Sequence, residues 1–147
     1  MVAAFHGRTI VTRWIPTATR CGSWCDYFDR WTFADRPAND PIFDLADEAQ
    51  PWAERPTIDV ATFGKWGSQL SAVTGEHPHL LLAGVSTDCC VITTALAAAD
   101  AGAWVKVVSD ACAGSAPDNH EAALTVMDLY SPQIDVVTSS HVLATLA

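Results

Sequence analysis

The chain has 147 residues, 50% of them hydrophobic, and its 17 acidic and 8 basic side chains give a net charge of −9. This apolar content suffices for one core, so residues 1–147 are predicted to form a single domain. The negative charge disfavours nucleic acid and anionic membranes as partners, and the short apolar runs and the absence of an export-signal pattern predict a cytoplasmic protein that does not span a membrane.

The first half of the chain predicts few regular elements. An apolar run at residues 9–13 indicates a short buried strand, and residues 22–33 are crowded with aromatic side chains that indicate a short helix or an ordered loop. Residues 34–56 are rich in Pro and Asp, which favour turns, with one short helical piece predicted at 43–49. A second short strand is predicted at 57–60.

The second half alternates regularly between strands and helices. A helix is predicted at 68–73, then strands at 80–83, 104–108 and 134–137 and helices at 89–101, 119–130 and 141–146. Such alternation, with nearly continuous apolar strands, is typical of parallel pairing with helices on both faces. The sequence therefore predicts a doubly wound α/β domain with a mostly parallel sheet.

Two residues in this pattern have the chemistry of a catalytic site. Cys90 lies where a predicted strand turns into a helix, and the positive end of a helix dipole favours a thiolate there. Lys65 lies in a turn bracketed by Gly64 and Gly67, and an ammonium group near a cysteine lowers the thiol pKa further. Ligands of such sheets bind beyond the carboxyl ends of the strands, where the N–H groups of the turn can hold an oxyanion.

Several motifs agree with one known family in order and spacing. Residues 84–91 (Gly-Val-Ser-Thr-Asp-Cys-Cys-Val) and 107–113 (Val-Val-Ser-Asp-Ala-Cys-Ala) resemble the signature of the isochorismatase-like cysteine hydrolases. Residues 62–66 (Thr-Phe-Gly-Lys-Trp) are similar to the lysine turn of that family, and residues 12–16 to its second strand. The resemblance covers nearly the whole chain.

This resemblance implies a three-layer α/β fold and an Asp–Lys–Cys triad that hydrolyses a small amide, carbamoyl or related compound. Cys90 would be the nucleophile and Lys65 the lysine of the triad. The oxyanion would be held by the N–H groups of Ser86 and Cys90, beside a cis peptide after Val85. A small-molecule substrate and a homo-oligomer are the partners that the family pattern implies.

The sequence departs from the family pattern in two places. The triad aspartate of the family ends its first, central strand, and nothing before Thr9 matches that strand, so the strand is expected to be missing from these 147 residues. The alternative function is therefore a catalytically inactive or truncated family member. The nicotinamide-hydrolysing branch binds metal through Asp and His in the region corresponding to residues 20–44, which holds no histidine here. No metal and no cofactor are predicted.

The remaining candidates have more modest expected roles. Asp88 is expected to cap the helix that follows it, and Asp110 to tie down an adjacent loop. For His120, a structural role, simple solvation and substrate contact all stay open. A redox role for adjacent Cys89 and Cys90 is disfavoured, because their disulfide would close a strained ring. Three further residues are candidates for a substrate pocket, although aromatic residues more often form core: Arg13, Trp14 and Trp66.

Overall fold

The computed structural model describes residues 2–146, which group into two compact units. One unit contains residues 63–146 together with 3–5, and the other contains residues 6–62 together with Val2. Each unit combines helices with a parallel sheet, which confirms the predicted α/β class. The described strands form one two-stranded and one three-stranded sheet. The single domain and the missing central strand stay predictions.

The unit of residues 6–62 is built on a small sheet and one helix. Strand β1 (Thr12–Trp14) pairs in parallel with β2 (Ile58–Val60), and helix α1 (Ser23–Arg30) lies between them in sequence. The helix predicted at 43–49 is wrong, because short 3₁₀ turns occur at Pro41–Phe43 and Gln50–Trp52. Each turn has a proline near its start, and proline favours the first turn of a helix but cannot donate a backbone hydrogen bond further along it.

Aromatic side chains fill the interior of this unit. Phe28 is 4% exposed, and its ring stacks on Trp14 with centroids 6.0 Å apart and an interplanar angle of 14°. Trp14 also meets Tyr27 and Phe43 edge-on, the arrangement that the quadrupoles of two rings favour. The crowded aromatic residues of this part of the sequence therefore serve largely as packing.

The unit of residues 63–146 carries the larger sheet. Its strands are β3 (His79–Val85), β4 (Trp104–Ala113) and β5 (Ile134–Val137), paired in parallel in that order. Its helices are α2 (Ser68–Thr74), α3 (Ile92–Asp100), α4 (Pro117–Asp128) and α5 (Ser139–Ala144). β4 continues past the predicted end at Val108, because its last residues pair with the end of β3 across Gly84 and Cys112.

Small residues bring α3 close to this sheet. Ala95 and Ala98 are 0% exposed, and they belong to the same buried cluster as Val105 and Val107 of β4. A methyl side chain lets a helix approach strands closely while still excluding water, so this face is densely packed. Within residues 2–146, no helix is both long and apolar enough to cross a membrane.

Candidate active site

The end of β3 turns sharply into helix α3. Gly84 has a φ of +128°, a conformation that only glycine adopts readily, and the register with β4 shifts between Leu82 and Gly84. Just after Gly84, the peptide bond between Val85 and Ser86 is cis. A helix was predicted to begin at Cys89, but a π-helical turn over Thr87–Val91 precedes the α-helix.

This turn is wider than an α-helical one because of where its N–H groups donate. Both Cys89 N–H and Val91 N–H donate to the carbonyl oxygen of Ser86, each at 3.1 Å. The i→i+5 bond of Val91 is the π-type bond, which places an extra residue in the turn. Such bulges are frequent at functional sites, and here the extra width falls on the two cysteines.

Lys65 and Cys90 lie side by side. The Lys65 ammonium nitrogen is 3.9 Å from the Cys90 sulfur and donates a 2.8 Å hydrogen bond to the Phe63 carbonyl. Lys65 is only 7% exposed. Burial lowers its pKa, because removal from water penalises the charged form, while the nearby Cys90 sulfur opposes that shift.

The thiol groups differ strongly in acidity. A hydrogen bond from Cys89 is the largest of the causes that lower the pKa of Cys90 to about 6, against a burial effect that raises it. The Lys65 charge and the Ser86 N–H lower it further. The pKa of Cys89 is raised by the same partnership, and burial raises the pKa of Cys112. Of the three cysteines of this unit, Cys90 is thus the one whose surroundings favour the ionised form.

Thr94 links the two catalytic candidates through its hydroxyl group. Lys65 N–H donates to Thr94 Oγ1 at 2.9 Å, and Thr94 Oγ1 lies 2.6 Å from the Cys90 carbonyl oxygen, to which it donates. No role was predicted for Thr94 from the sequence. The signal available in the sequence is a threonine four residues after Cys90 on a predicted helix, since the hydroxyl of such a threonine reaches the carbonyl of residue i−4.

The candidate turn is also fastened to helix α4. Thr87, which is 0% exposed, has its Oγ1 2.8 Å from His120 Nδ1. A Cβ on Gly114 would lie 2.8 to 2.9 Å from atoms of His120, so this approach requires glycine. This hydrogen bond gives His120 a structural role, which is one of the three roles left open for it above.

Two aspartates near the strand ends are bound to serines. The predicted helix cap by Asp88 is wrong, because its carboxylate instead accepts hydrogen bonds from both N–H and Oγ of Ser115, at 2.7 and 2.6 Å. These bonds lower the pKa of Asp88. Asp110 accepts the same pair of bonds from Ser139, at the start of α5, which ties that helix to the end of β4.

The three candidate pocket residues are engaged in their own units. In the unit of residues 6–62, Arg13 forms a two-pronged ion pair with Asp59 at 2.7 and 3.0 Å, and Trp14 Nε1 donates to the Ala61 carbonyl. Trp66, in the unit of Cys90, is partly buried and packs against the core cluster. Their role in a pocket stays a prediction.

The larger unit also has a surface groove that Cys90 and Lys65 do not line. An open groove of about 550 Å³ beside α4 is lined by residues that include Asp110 and His120, and neither Cys90 nor Lys65 lines it. Within residues 2–146, no group of three or more His, Cys, Asp or Glu side chains is arranged to hold a metal ion.

Parallel sheets flanked by helices place the chain in the α/β class of proteins. The model of the Isochorismatase domain matches residues 2–141, so the chain belongs to the isochorismatase family. No curated protein matches the sequence.

Solved structures share the fold. A nicotinamidase PncA from Bacillus subtilis is 19% identical with a TM-score of 0.68, covering 92% of this chain and 78% of that one. An isochorismatase-like hydrolase from Alkaliphilus metalliredigens is 19% identical with a TM-score of 0.64, covering 76% and 62%. A hypothetical protein from Trypanosoma cruzi is 24% identical with a TM-score of 0.57, covering 61% and 48%. The match thus spans less than two thirds of the length of the last two proteins.

Proposed function

We propose that this protein is a cysteine hydrolase that acts on a small amide, carbamoyl or related substrate, with Cys90 as its nucleophile. The observation that carries the proposal is the 3.9 Å separation of the Lys65 ammonium and the Cys90 sulfur at the start of a helix. A cationic neighbour and a helix N-terminus both favour the thiolate, which is the reactive form of cysteine. The lowered pKa of Cys90 agrees with this placement.

The proposed reaction has two stages. The Cys90 thiolate attacks the carbonyl carbon, and the N–H groups of Ser86 and Cys90, beside Val85, stabilise the oxygen that becomes negatively charged. The carbon–nitrogen bond then breaks, and the leaving amine takes a proton from the Lys65 ammonium, whose lowered pKa makes it the stronger acid. Water then hydrolyses the resulting thioester to the carboxylate of the product and the Cys90 thiolate, and of the two protons set free one restores the Lys65 ammonium and the other passes to solvent.

A second candidate function is that of a catalytically inactive family member that still holds a reactive thiol. The observation in its favour is that the aspartates of the two signature segments, Asp88 and Asp110, are bound to Ser115 and Ser139. Both carboxylates thus accept hydrogen bonds from serines, and within residues 2–146 neither has a hydrogen bond to a cysteine. Under this alternative Cys90 is alkylated readily, but no amide is turned over.

Substrate and assembly are proposed on coarser grounds. Nicotinamide is a sensible first member of a substrate panel, because one structural neighbour is a nicotinamidase. Trp66, which belongs to the same unit as Lys65 and Cys90, is proposed to line the substrate pocket. A cytoplasmic location and a homo-oligomer stay predictions.

The test combines alkylation with turnover. Cys90→Ser and the matched Cys112→Ser variant are assayed for ammonia release from a panel of small amides, and peptide mass spectrometry follows iodoacetamide labelling at pH 7. The proposal expects turnover by the wild type and by Cys112→Ser, none by Cys90→Ser, and Cys90 as the fastest-labelled cysteine. Rapid labelling without turnover on any substrate would favour the inactive member, and slow labelling of Cys90 would contradict both.

A further inference from the structure

We propose that Thr94 is a positioning residue that fixes the separation of the Lys65 and Cys90 side chains. The inference rests on the proposed function, since it concerns the same two groups. Its basis is a continuous chain of two hydrogen bonds, from Lys65 N–H to Thr94 Oγ1 at 2.9 Å and from Thr94 Oγ1 to the Cys90 carbonyl at 2.6 Å. One hydroxyl thereby holds the backbone of both residues.

The chemistry of a hydroxyl makes this link specific. It has one proton to donate, and here that proton goes to Cys90 while an oxygen lone pair accepts from Lys65. Thr94 is 5% exposed, so water cannot readily replace either bond. A buried N–H left without its acceptor is unfavourable, which means that the loop of Lys65 is held to α3 wherever the hydroxyl is present.

The side chain of Lys65 is held independently at its far end. Its ammonium group donates to the Phe63 carbonyl at 2.8 Å, two residues earlier in the same loop. With Thr94 fixing the backbone and Phe63 fixing the ammonium, the nitrogen has little freedom to leave the Cys90 sulfur. The 3.9 Å separation is therefore set by the loop as a whole, and Thr94 is the point where that loop joins the nucleophile's helix.

The adjacent threonine offers a matched control. Thr93 is exposed, and its hydroxyl donates to the carbonyls of Cys89 at 2.6 Å and Cys90 at 3.3 Å, both in the π-helical turn that precedes α3. Thr93→Val and Thr94→Val therefore make the same chemical change at neighbouring positions of α3. They differ in burial and in the bond that Thr94 accepts from the lysine loop.

The experiment measures the pH midpoint of Cys90 alkylation by iodoacetamide, resolved by peptide mass spectrometry. Thr94→Val is expected to move the midpoint upward by about one unit, because a loosened ammonium stabilises the thiolate less. Thr94→Ser keeps the hydroxyl and is expected to retain most of the wild-type value. Thr93→Val is expected to leave the midpoint unchanged.

Several outcomes would overturn the inference. A Thr94→Val midpoint equal to that of the wild type would do so, as would an equal shift in Thr93→Val. Should Thr94→Val not fold, hydrogen exchange in the wild type decides instead: a protected Lys65 amide supports the link, and one that exchanges like an open loop overturns it. An ordinary wild-type midpoint near 8.5 would contradict the proposed function itself, which keeps the two failures distinct.

Discussion

His120 Nδ1 lies 2.8 Å from the hydroxyl oxygen of Thr87, which joins helix α4 to the turn that carries the two cysteines. Removing the imidazole leaves a fully buried hydroxyl without its partner, whereas removing the hydroxyl leaves a ring that is partly open to water. His120→Ala is therefore expected to cost more stability than Thr87→Val. A double-mutant cycle by urea denaturation is expected to give a coupling of about 1 kcal/mol. Additive effects of the two substitutions would contradict the contact.

Gly114→Ala is expected to destabilise the protein by about 1–3 kcal/mol, since the new methyl group would press on the backbone of His120, which cannot simply rotate away. Gly67→Ala is the matched control, because a Cβ there meets nothing within 4 Å and its φ of 171° suits any residue. Thermal unfolding of both variants checks the comparison. Equal melting temperatures of the two variants would show that the backbone around Gly114 moves to make room for the methyl group, and would contradict the prediction.

Lys65→Met is expected to raise the pKa of Cys90, because it removes the ammonium that lies 3.9 Å from the sulfur. Alkylation at pH 6.5 then slows, since a smaller fraction of the thiol is ionised. Lys106→Met, which replaces the exposed lysine of β4, is expected to change neither quantity. An equal effect of both substitutions would point to net charge instead of to the local pair.

The stability of the protein is expected to depend on pH through Cys90. Its pKa of about 6 in the folded state lies below the value of about 8.5 for an unfolded thiol, so the folded chain loses this proton first. The thiolate's contribution is therefore complete above about pH 8.5 and is lost as the pH falls through about 6.

The measurement is the difference in unfolding midpoint between the wild type and Cys90→Ala, followed from pH 5.5 to 8.5. The difference is expected to grow in favour of the wild type across this range. Cys112→Ala serves as the comparison, since burial raises the pKa of Cys112 and its difference should stay flat below its ordinary pKa. A flat profile for Cys90→Ala would contradict the acidic thiol.

The regular part of the fold was predictable because its signals are local. The apolar run at β5 gave the strand bounds Ile134–Val137 directly, and Gly75 marks the end of α2. The end of β4 was not predictable, since its last residues are held by pairing with β3 instead of by their own apolar pattern. The turns at Pro41–Phe43 and Gln50–Trp52 show a similar limit, because a favourable helix start does not determine how far a helix continues.

The candidate site, like the fold, could be predicted from the sequence only where its signals are local. The proximity of Lys65 and Cys90 was expected from motifs, whereas the bond between Lys65 and Thr94 and the bond between Thr87 and His120 join positions far apart in sequence. Asp88 illustrates the difference: its place before a helix favours a cap, but Ser115 offers it two donors at once. Charge-assisted bonds to two donors outweigh one local bond, and no sequence window that stops at α3 contains Ser115.

Helix α3 packs its alanines against the sheet and bonds the loop of Lys65 through Thr94, so both contacts depend on the same rotation of the helix about its axis. An α-helix turns by about 100° per residue, and a single insertion before Thr94 would swing Ala95, Ala98 and the hydroxyl together out of their places. Insertions or deletions between Cys90 and Thr94 would therefore disrupt both the core and the site, whereas point substitutions on the exposed face of the helix would disturb neither. The packing of the core keeps the phase of the helix, and the helix keeps the alignment of the site.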